Sequence, residues 1–297
     1  EVLDYVLGVE AVTISERDRR ILIDKAYRNL FSFGPLDDYL RDDAVTEITI
    51  NGPYDIHVRR GMDKLAPVEA AFDDRVHLEN ILERVLVAGG AVISSPFLET
   101  GVILAGRAAR IGLIAPPVTP DYSLEIRLHP HIALTLADLD TRFNAVPSDA
   151  AGLLKAILAA GHGLLILGDV GLGKTTLAGA LGHALPADAS ICAVERAAEM
   201  SLPGHVTRRV PVLTTPGSTF TSEIQRALDE SPAPDWLIID EIRGDESAAV
   251  HAALTRDDAP HYLWVFRGAS QVDRLRSALG MVIRKHNPAI DQQVIHS

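Results

Sequence analysis

Residues 168–175, Gly-Asp-Val-Gly-Leu-Gly-Lys-Thr, place three glycines, a lysine and a hydroxyl group close together in the chain. Glycines let a backbone fold around an anion with its N–H groups pointing inward. A lysine at this spacing reaches the β- and γ-phosphates of a nucleotide, and a threonine offers its hydroxyl to Mg²⁺. The preceding run "GLLILG" predicts a strand, and "KTTLAGALGHAL" predicts a helix with its positive end toward the phosphates. We therefore expect a phosphate-binding loop formed by Gly168, Asp169, Val170, Gly171, Leu172, Gly173, Lys174, Thr175 and Thr176.

A second stretch, "DWLIIDEIRGDES" at 235–247, predicts an apolar strand that ends in two acids, Asp240 and Glu241. Carboxylates at the carboxyl end of a parallel strand project into the crevice where ligands bind. We expect Asp240 to hold Mg²⁺ together with Thr175, and Glu241 to orient or deprotonate the attacking water. Glu195 ends the strand "ICAVE" and is either a second water-positioning group or a solvated strand end. The expected catalytic set is therefore Glu241, Glu195 and Lys174.

The elements that must position these groups differ between the two halves of the chain. From residue 150 onward, helical segments alternate with continuous apolar strands, which is typical of a parallel sheet covered on both faces. Residues 1–130 combine two amphipathic helices with short strands of period two, which indicates a smaller α+β domain. Residues 131–149 are expected to be a linker containing a short helix, so the second domain spans 150–297.

Composition excludes several classes of protein. The chain of 297 residues is 47% hydrophobic and 23% charged, as in a globular domain, and it has no apolar stretch of membrane-spanning length. Its formal charge of −12 argues against a nucleic-acid partner, because such binding needs a cationic surface. The single cysteine, Cys192, lies in an apolar run, which favours a buried thiol in a reducing compartment.

Three motifs together resemble the secretion traffic ATPases of type II and type IV secretion, conjugation, type IV pili and Tad pilus assembly. They are the loop at 168–175, "VERAAEM" at 194–200, which is similar to the family's E-D-x-x-E-L box, and "IIDEIRGDES" at 238–247. The last looks like the family's G-E-x-R-G-x-E segment, and its Arg243 is a candidate interface or sensor group. The stretches "FGPLDDYLRDDAVTEITINGP" and "ARIGLIAPPV…SLEIRLHP" resemble the family's N-terminal domain. The resemblance spans about residues 33–285 and is closest to the Tad and conjugation ATPases.

This resemblance implies an α/β fold, with a C-terminal RecA-like P-loop NTPase domain and a smaller N-terminal α+β domain. It also implies a homo-hexameric ATPase that uses ATP and Mg²⁺ and powers a bacterial machine through inner-membrane platform proteins. Its expected location is cytoplasmic and peripheral on the inner membrane. Arg110 and Arg127 match the N-terminal arginines that close over the phosphates in the family. Their alternative role is in surface salt bridges.

The chain departs from the family at positions that serve turnover rather than the phosphate cradle. Arg196 stands where the acidic box carries aspartate, and Arg267 stands where the family has a histidine near the γ-phosphate. Asp229 replaces a second arginine, and Leu104 replaces an arginine of the N-terminal domain. Arg267 is expected to bind the nucleotide with a permanent charge. Two hypotheses remain: a motor that hydrolyses ATP, and a nucleotide-binding assembly scaffold with weak or no hydrolysis.

Overall fold

The computed structural model describes residues 9, 13–61, 63–129, 133–169, 171–215, 217–242, 246–256, 258–268 and 272–289. Contacts within the chain group it into two compact units, Glu1–Pro130 and His131–Ser297. Each unit contains its own sheet and its own buried apolar core. Among the helices in these described ranges, none combines the length and apolar character that crossing a bilayer requires.

The first unit is an antiparallel sheet with helices. Its strands are β1 (Val45–Asn51), β2 (Ile56–Arg60), β3 (Ala66–Pro67), β4 (Phe97–Leu104), β5 (Arg107–Ile114) and β6 (Ser123–Leu128). Its helices are α1 (Glu16–Phe31), α2 (Asp37–Arg41) and α3 (Arg75–Ala88), with a 3-10 turn at Gly34–Leu36. The strand order is β3-β2-β1-β6-β5-β4. The predicted α+β character of this half is confirmed.

Helix α3 shows how the local sequence fixes the first unit. The Asp74 carboxylate accepts a hydrogen bond from the backbone N–H of His77 at 2.7 Å, which caps the helix N-terminus. Gly89 follows the last helical residue. The apolar side chains at helical spacing are buried, namely Leu78, Ile81, Leu82, Val85 and Leu86. They join the sheet's inward-facing residues in one core, as the period-two pattern of the strands predicts.

Helix α1 is one of the two amphipathic helices expected in this half, but its orientation is unexpected. Ser15 caps it, yet none of its residues is buried, and its apolar side chains at Tyr27, Leu30 and Phe31 are exposed. Its polar side is attached to the unit instead, through ion pairs such as Lys25 with Asp73 at 2.8 Å. Helical periodicity therefore predicted the apolar stripe correctly but not the direction in which it faces.

The second unit is a parallel sheet between helices. Its strands are β7 (Leu164–Gly168), β8 (Ile191–Glu195), β9 (Arg208–Pro211), β10 (Trp236–Ile242) and β11 (His261–Arg267). Its helices are α4 (Leu136–Thr141), α5 (Ser148–Ala159), α6 (Lys174–Gly182), α7 (Phe220–Leu228), α8 (Ser247–Leu254) and α9 (Val272–His286), with a 3-10 turn at Val212–Thr214. Leu136 and Leu139 of α4, in the segment expected to be a linker, are buried in this unit's core.

Burial on both faces explains the continuous apolar strands of the second unit. The described pairs of strands are all parallel, in the order β7-β11-β10-β8-β9. One face packs on α4, α5 and α6, and the other packs on α7, α8 and α9. Trp236 and Trp264 are each 3% exposed and pack in the cores on the two faces of the sheet. The predicted α/β fold with a RecA-like second unit is confirmed.

The strand order brings the carboxyl ends of three neighbouring strands together. Strand β11 lies between β7, which leads into the 168–175 loop, and β10, which ends in the two acids. Arg267 at the end of β11 is the register partner of Gly168 at the end of β7. Because parallel strands end at one edge of the sheet, the loop, Arg267 and the acid pair all lie at that edge.

Candidate functional site

The loop between β7 and α6 has backbone angles that favour glycine. Gly171 and Gly173 have φ values of +82° and +75°, a region that side chains other than glycine adopt only with strain. Gly173 is the N-cap of α6, and no side chain of the described residues caps this helix. The first-turn N–H groups of α6 are therefore directed to the loop and are suited to bind an anion. Val170 lies outside the described residues.

Lys174 connects the loop to the acid strand. Its ammonium group donates to the backbone carbonyl of Asp169 at 2.9 Å and lies 3.3 Å from a carboxylate oxygen of Glu241. The residue is 7% exposed, so the ion pair is largely shielded from water. Thr175 is half-buried in the first turn of α6, and Thr176 is exposed. Lys174, which follows the loop after β7, thus contacts Glu241 of β10, although β11 lies between β7 and β10 in the sheet.

The acid pair lies at an irregular point of β10. The register with β11 pairs Ile239 with Trp264 and then Ile242 with Phe266, so three steps along β10 match two along β11. Such a bulge changes the direction of neighbouring side chains. Asp240 is 2% exposed, and its carboxylate accepts a hydrogen bond from the backbone N–H of Arg196 at 3.1 Å. The Glu241 side chain is 19% exposed and faces Lys174.

The donor set near the loop fits Mg²⁺. Thr175 supplies a hydroxyl, and Asp240 supplies a carboxylate, and both are the hard oxygen ligands that this ion prefers. Magnesium commonly uses one or two protein oxygens together with substrate phosphates and water. Thr175 and Asp240 therefore suit a magnesium ion that is held partly by a nucleotide.

The position of Glu195 decides one of its two expected roles. It is fully buried, so it is not a solvated strand end. One carboxylate oxygen accepts from Arg209 Nε, and the other accepts from Arg209 Nη2 at 3.1 Å and from the Met200 backbone N–H at 2.8 Å. Burial raises the pKa of Glu195 to about 6, against the opposing effect of Arg209. This geometry favours a structural role over the water-positioning role expected from the sequence.

Replacement of Glu195 by glutamine tests this structural role through pH. The folded protein holds a proton on Glu195 up to a pH of about 6, whereas the unfolded chain loses it near 4.5, so wild-type stability falls as pH rises through this window. The glutamine variant has no titrating group at this position, so its stability lacks this dependence on pH. We expect the free energy of unfolding of wild type, relative to the variant, to fall by about 2 kcal/mol in total as the pH rises from well below 4.5 to well above 6.

Urea unfolding at several pH values measures this difference. The fluorescence of Trp236 and Trp264 reports on the second unit, since the chain has two tryptophans and both are buried there. A pH-independent difference between the two proteins would contradict the assigned burial of an ionisable Glu195.

Arg209 is the residue here whose role the sequence did not reveal. In a chain with an excess of acidic residues, the basic pair Arg208 and Arg209 by itself predicts a solvated face or a subunit contact. Instead, Arg209 pairs with Glu195, and Arg208 forms an ion pair with Glu230. A signal for this existed, because an acid at the end of a fully apolar parallel strand is expected to need a cation on a neighbouring strand.

Three arginines are expected from the sequence to contact the nucleotide phosphates, namely Arg267, Arg110 and Arg127. Arg267 is exposed at the end of β11 beside the loop, and the next residue, Gly268, donates its N–H to the Gly168 carbonyl at 3.3 Å. In the first unit, Arg110 and Arg127 are register partners on β5 and β6.

Both N-terminal arginines form ion pairs within their own unit. Arg110 lies 2.6 Å from Glu99, measured from Nε to Oε1, and Arg127 pairs with Glu125. These contacts agree with the salt-bridge alternative and leave the expected role at the phosphates a prediction. Arg243 lies outside the described residues.

Comparisons with known proteins agree with this architecture. A family model described as "Type II/IV secretion system protein" matches residues 30–276. A "putative conjugal transfer protein" of Mycobacterium tuberculosis is 30% identical over 233 residues, which covers 74% of this chain and 65% of that protein. The chain thus spans just under two thirds of this curated relative's length.

Two solved structures have similar folds. The ATPase DotB of Legionella pneumophila matches with a TM-score of 0.57 at 18% identity, covering 82% of this chain and 66% of that one. The pilus retraction motor PilT with bound ADP matches with a TM-score of 0.59 at 17% identity, covering 87% and 72%. At these identities the likeness shows the fold. The family match over most of the chain shows more: this protein belongs to the type II/IV secretion system protein family, the secretion traffic ATPases that its motifs resemble.

Proposed function

We propose that this protein binds Mg²⁺-ATP at the 168–175 loop and hydrolyses it as a motor subunit of a bacterial secretion, conjugation or pilus assembly machine. One observation carries the proposal. Lys174 at the start of α6 and Glu241 at the end of β10 lie 3.3 Å apart, which joins a phosphate-binding loop to an acid suited to activate water. Family membership supports the same reading.

Nucleotide binding begins with the loop. The N–H groups around Gly171 and Gly173 and the N-terminus of α6 supply donors for the phosphate oxygens. Lys174 supplies a positive charge for the β- and γ-phosphates. To do so, its ammonium group leaves the Asp169 carbonyl and Glu241, so arrival of the nucleotide releases the Glu241 carboxylate.

Hydrolysis then uses the acids of β10 and the arginine of β11. Thr175 and Asp240 would hold Mg²⁺, which neutralises charge on the phosphate oxygens when it is bound. Glu241 accepts a proton from the attacking water or orients it. Arg267 stabilises negative charge that develops on the transferred phosphoryl group, and its guanidinium stays protonated at neutral pH.

The assembly is proposed from the family rather than from contacts in one chain. Members of the secretion traffic ATPases act as hexameric rings, so we expect a homo-hexamer that works on inner-membrane platform proteins from the cytoplasmic side. In this arrangement Arg110 and Arg127 exchange their carboxylate partners for the nucleotide phosphates. The relative named as a conjugal transfer protein and the fold shared with a pilus retraction motor support this class of machine.

A second candidate function is a nucleotide-binding scaffold with weak or no hydrolysis. Specific residues favour it, because Arg196 occupies the family's acidic position and Arg267 its histidine position. In this case ATP would drive assembly of the ring without rapid turnover.

Steady-state phosphate release from the purified protein with Mg²⁺-ATP separates the two functions. The motor predicts continuous release, and sedimentation velocity in the same buffer should show a hexamer. A nucleotide-dependent hexamer with no release above the background would select the scaffold. A protein that neither binds nucleotide nor releases phosphate would contradict both functions.

A further inference from the structure

Strands β8 and β10 stop pairing just before the proposed catalytic acid. Their register ends with Val194 opposite Ile239. Beyond this point the backbone N–H of Arg196 donates to the Asp240 carboxylate at 3.1 Å, a side-chain contact in place of a ladder hydrogen bond. The end of β10 that carries Glu241 therefore lacks the backbone pairing with β8 that holds the rest of the strand.

The Arg196 side chain occupies this gap. Its Nη2 donates to the backbone carbonyl of Glu241 at 3.2 Å and to the carboxylate of Glu246 at 2.9 Å. The guanidinium carbon lies 5.0 Å from the centroid of the Phe220 ring, a cation–π distance. The side chain is 10% exposed, so these contacts are made away from bulk water. One guanidinium thus contacts the residue at the end of β10 and the residue just before α8.

We infer that Arg196 is a positioning residue for the proposed hydrolysis, because it fixes the backbone of Glu241 at the end of β10. This inference rests on the proposed function for the role of Glu241, but not for the contact itself. By holding the Glu241 carbonyl, Arg196 restricts where the carboxylate lies once Lys174 moves to the phosphates.

The chemistry of the side chain explains why an arginine suits this position. The aspartate of the family's box has no donor for the Glu241 carbonyl, and it would place a second negative charge beside Glu246. A lysine is a point charge on a flexible stem, and it lacks the planar group that lies over the Phe220 ring while donating to two acceptors. Arginine at 196 therefore makes a set of contacts that neither residue reproduces.

Replacing Arg196 by lysine tests the inference. We expect kcat for phosphate release to fall about 10- to 100-fold, since a small displacement of a catalytic group has effects of this size. The dissociation constant for an ATP analogue and the KM should change by less than about 3-fold, because the loop and Lys174 are untouched. Arg256→Lys is the control, since the Arg256 guanidinium also joins two acceptors, here the carboxylates of Asp229 and Asp258, and this change should leave kcat unchanged.

A partner variant shows whether the effect runs through the contact. Glu246→Gln weakens one anchor of the guanidinium, so it should lower kcat by a smaller factor. The double variant Arg196→Lys/Glu246→Gln should have the same kcat as Arg196→Lys alone, because both substitutions remove the same contact between the two side chains. Full additivity, or a kcat for Arg196→Lys within 2-fold of wild type, would overturn the inference.

Hydrogen–deuterium exchange keeps the inference testable if wild type does not hydrolyse ATP. Peptides that cover residues 236–242 should exchange faster at the strand end in Arg196→Lys, with residues 236–239 unchanged. Unchanged exchange at 240–242 would overturn the positioning role. Absence of phosphate release from wild type would instead overturn the proposed hydrolysis and leave this readout intact.

Discussion

Glu241→Gln is expected to reduce steady-state phosphate release by about 10²- to 10⁴-fold, because general-base catalysis contributes this much to proton-transfer reactions. Glutamine has nearly the same shape, so the loop should keep its conformation. Nucleotide affinity should be retained or should increase, since Lys174 no longer has a carboxylate at 3.3 Å competing with the phosphates. Phosphate release and titration with a fluorescent ATP analogue measure the two effects separately.

The matched control for this variant is Glu230→Gln. Glu230 is also an ion-paired acid of the second unit, but its partner Arg208 is the first residue of β9, and the loop lies at the carboxyl ends of the parallel strands. Its replacement should leave both turnover and affinity close to wild type. If Glu241→Gln releases phosphate within about 3-fold of wild type, Glu241 does not activate the water.

The second large effect is expected from Lys174→Ala, which should weaken binding of a non-hydrolysable ATP analogue by about 10- to 100-fold. A hydrogen bond to a charged group contributes about 1.5–3 kcal/mol, and Lys174 would make such bonds to two phosphates. Isothermal titration calorimetry with the analogue measures this loss without interference from turnover. Turnover should also disappear.

Two checks accompany the Lys174 variant. Lys155→Ala removes an exposed lysine from α5 in the same unit and should bind the analogue normally. Thermal melting in the absence of nucleotide shows whether the fold survives loss of the buried Lys174–Glu241 pair. A folded Lys174→Ala protein with unchanged affinity would place the nucleotide elsewhere.

Glu241→Gln and Lys174→Ala each remove one partner of the same ion pair. The Lys174–Glu241 pair joins the binding group to the proposed base, so nucleotide arrival both occupies the lysine and frees the acid. Glu241→Gln should therefore separate binding from hydrolysis, whereas Lys174→Ala should remove both. Equal effects of the two changes on affinity would contradict this coupling.

Much of the fold could be predicted because its signals are local. The alternation of apolar strands and helices after residue 150 requires a sheet with two buried faces, and the structure has one. Caps such as Asp74 and the glycines of the 168–175 loop also depend on near neighbours in the sequence. The loop motif therefore specified its own backbone, including the positive φ of Gly173.

The contacts between strands could not be predicted in the same way. Glu195 was interpreted from its place at a strand end, but its burial depends on β9 lying beside β8 with Arg209 directed toward it. Arg196 was recognised as a departure from the family box, yet its partners Glu241 and Glu246 are distant in sequence. Sequence spacing gives the face of an element, and strand register decides which faces meet.

Helix α1 illustrates the same limit. Its apolar stripe is evident from the sequence, and such stripes usually pack on a core. Here the charged side chains of Lys25 and Arg28 hold the helix to the first unit, and the stripe is exposed. Periodicity identifies the two faces of a helix but does not show which face packs against the rest of the unit.

A structure of the protein with Mg²⁺ and a non-hydrolysable ATP analogue would show directly whether nucleotide binding at the 168–175 loop separates Lys174 from Glu241. We expect the triphosphate in the 168–175 loop, with the Lys174 ammonium group on the β- and γ-phosphates and clearly farther than 3.3 Å from the Glu241 carboxylate. The carboxylates of Asp240 and Glu241 should face the magnesium ion and the γ-phosphate. A nucleotide bound elsewhere, or bound while Lys174 stays paired with Glu241, would contradict this prediction.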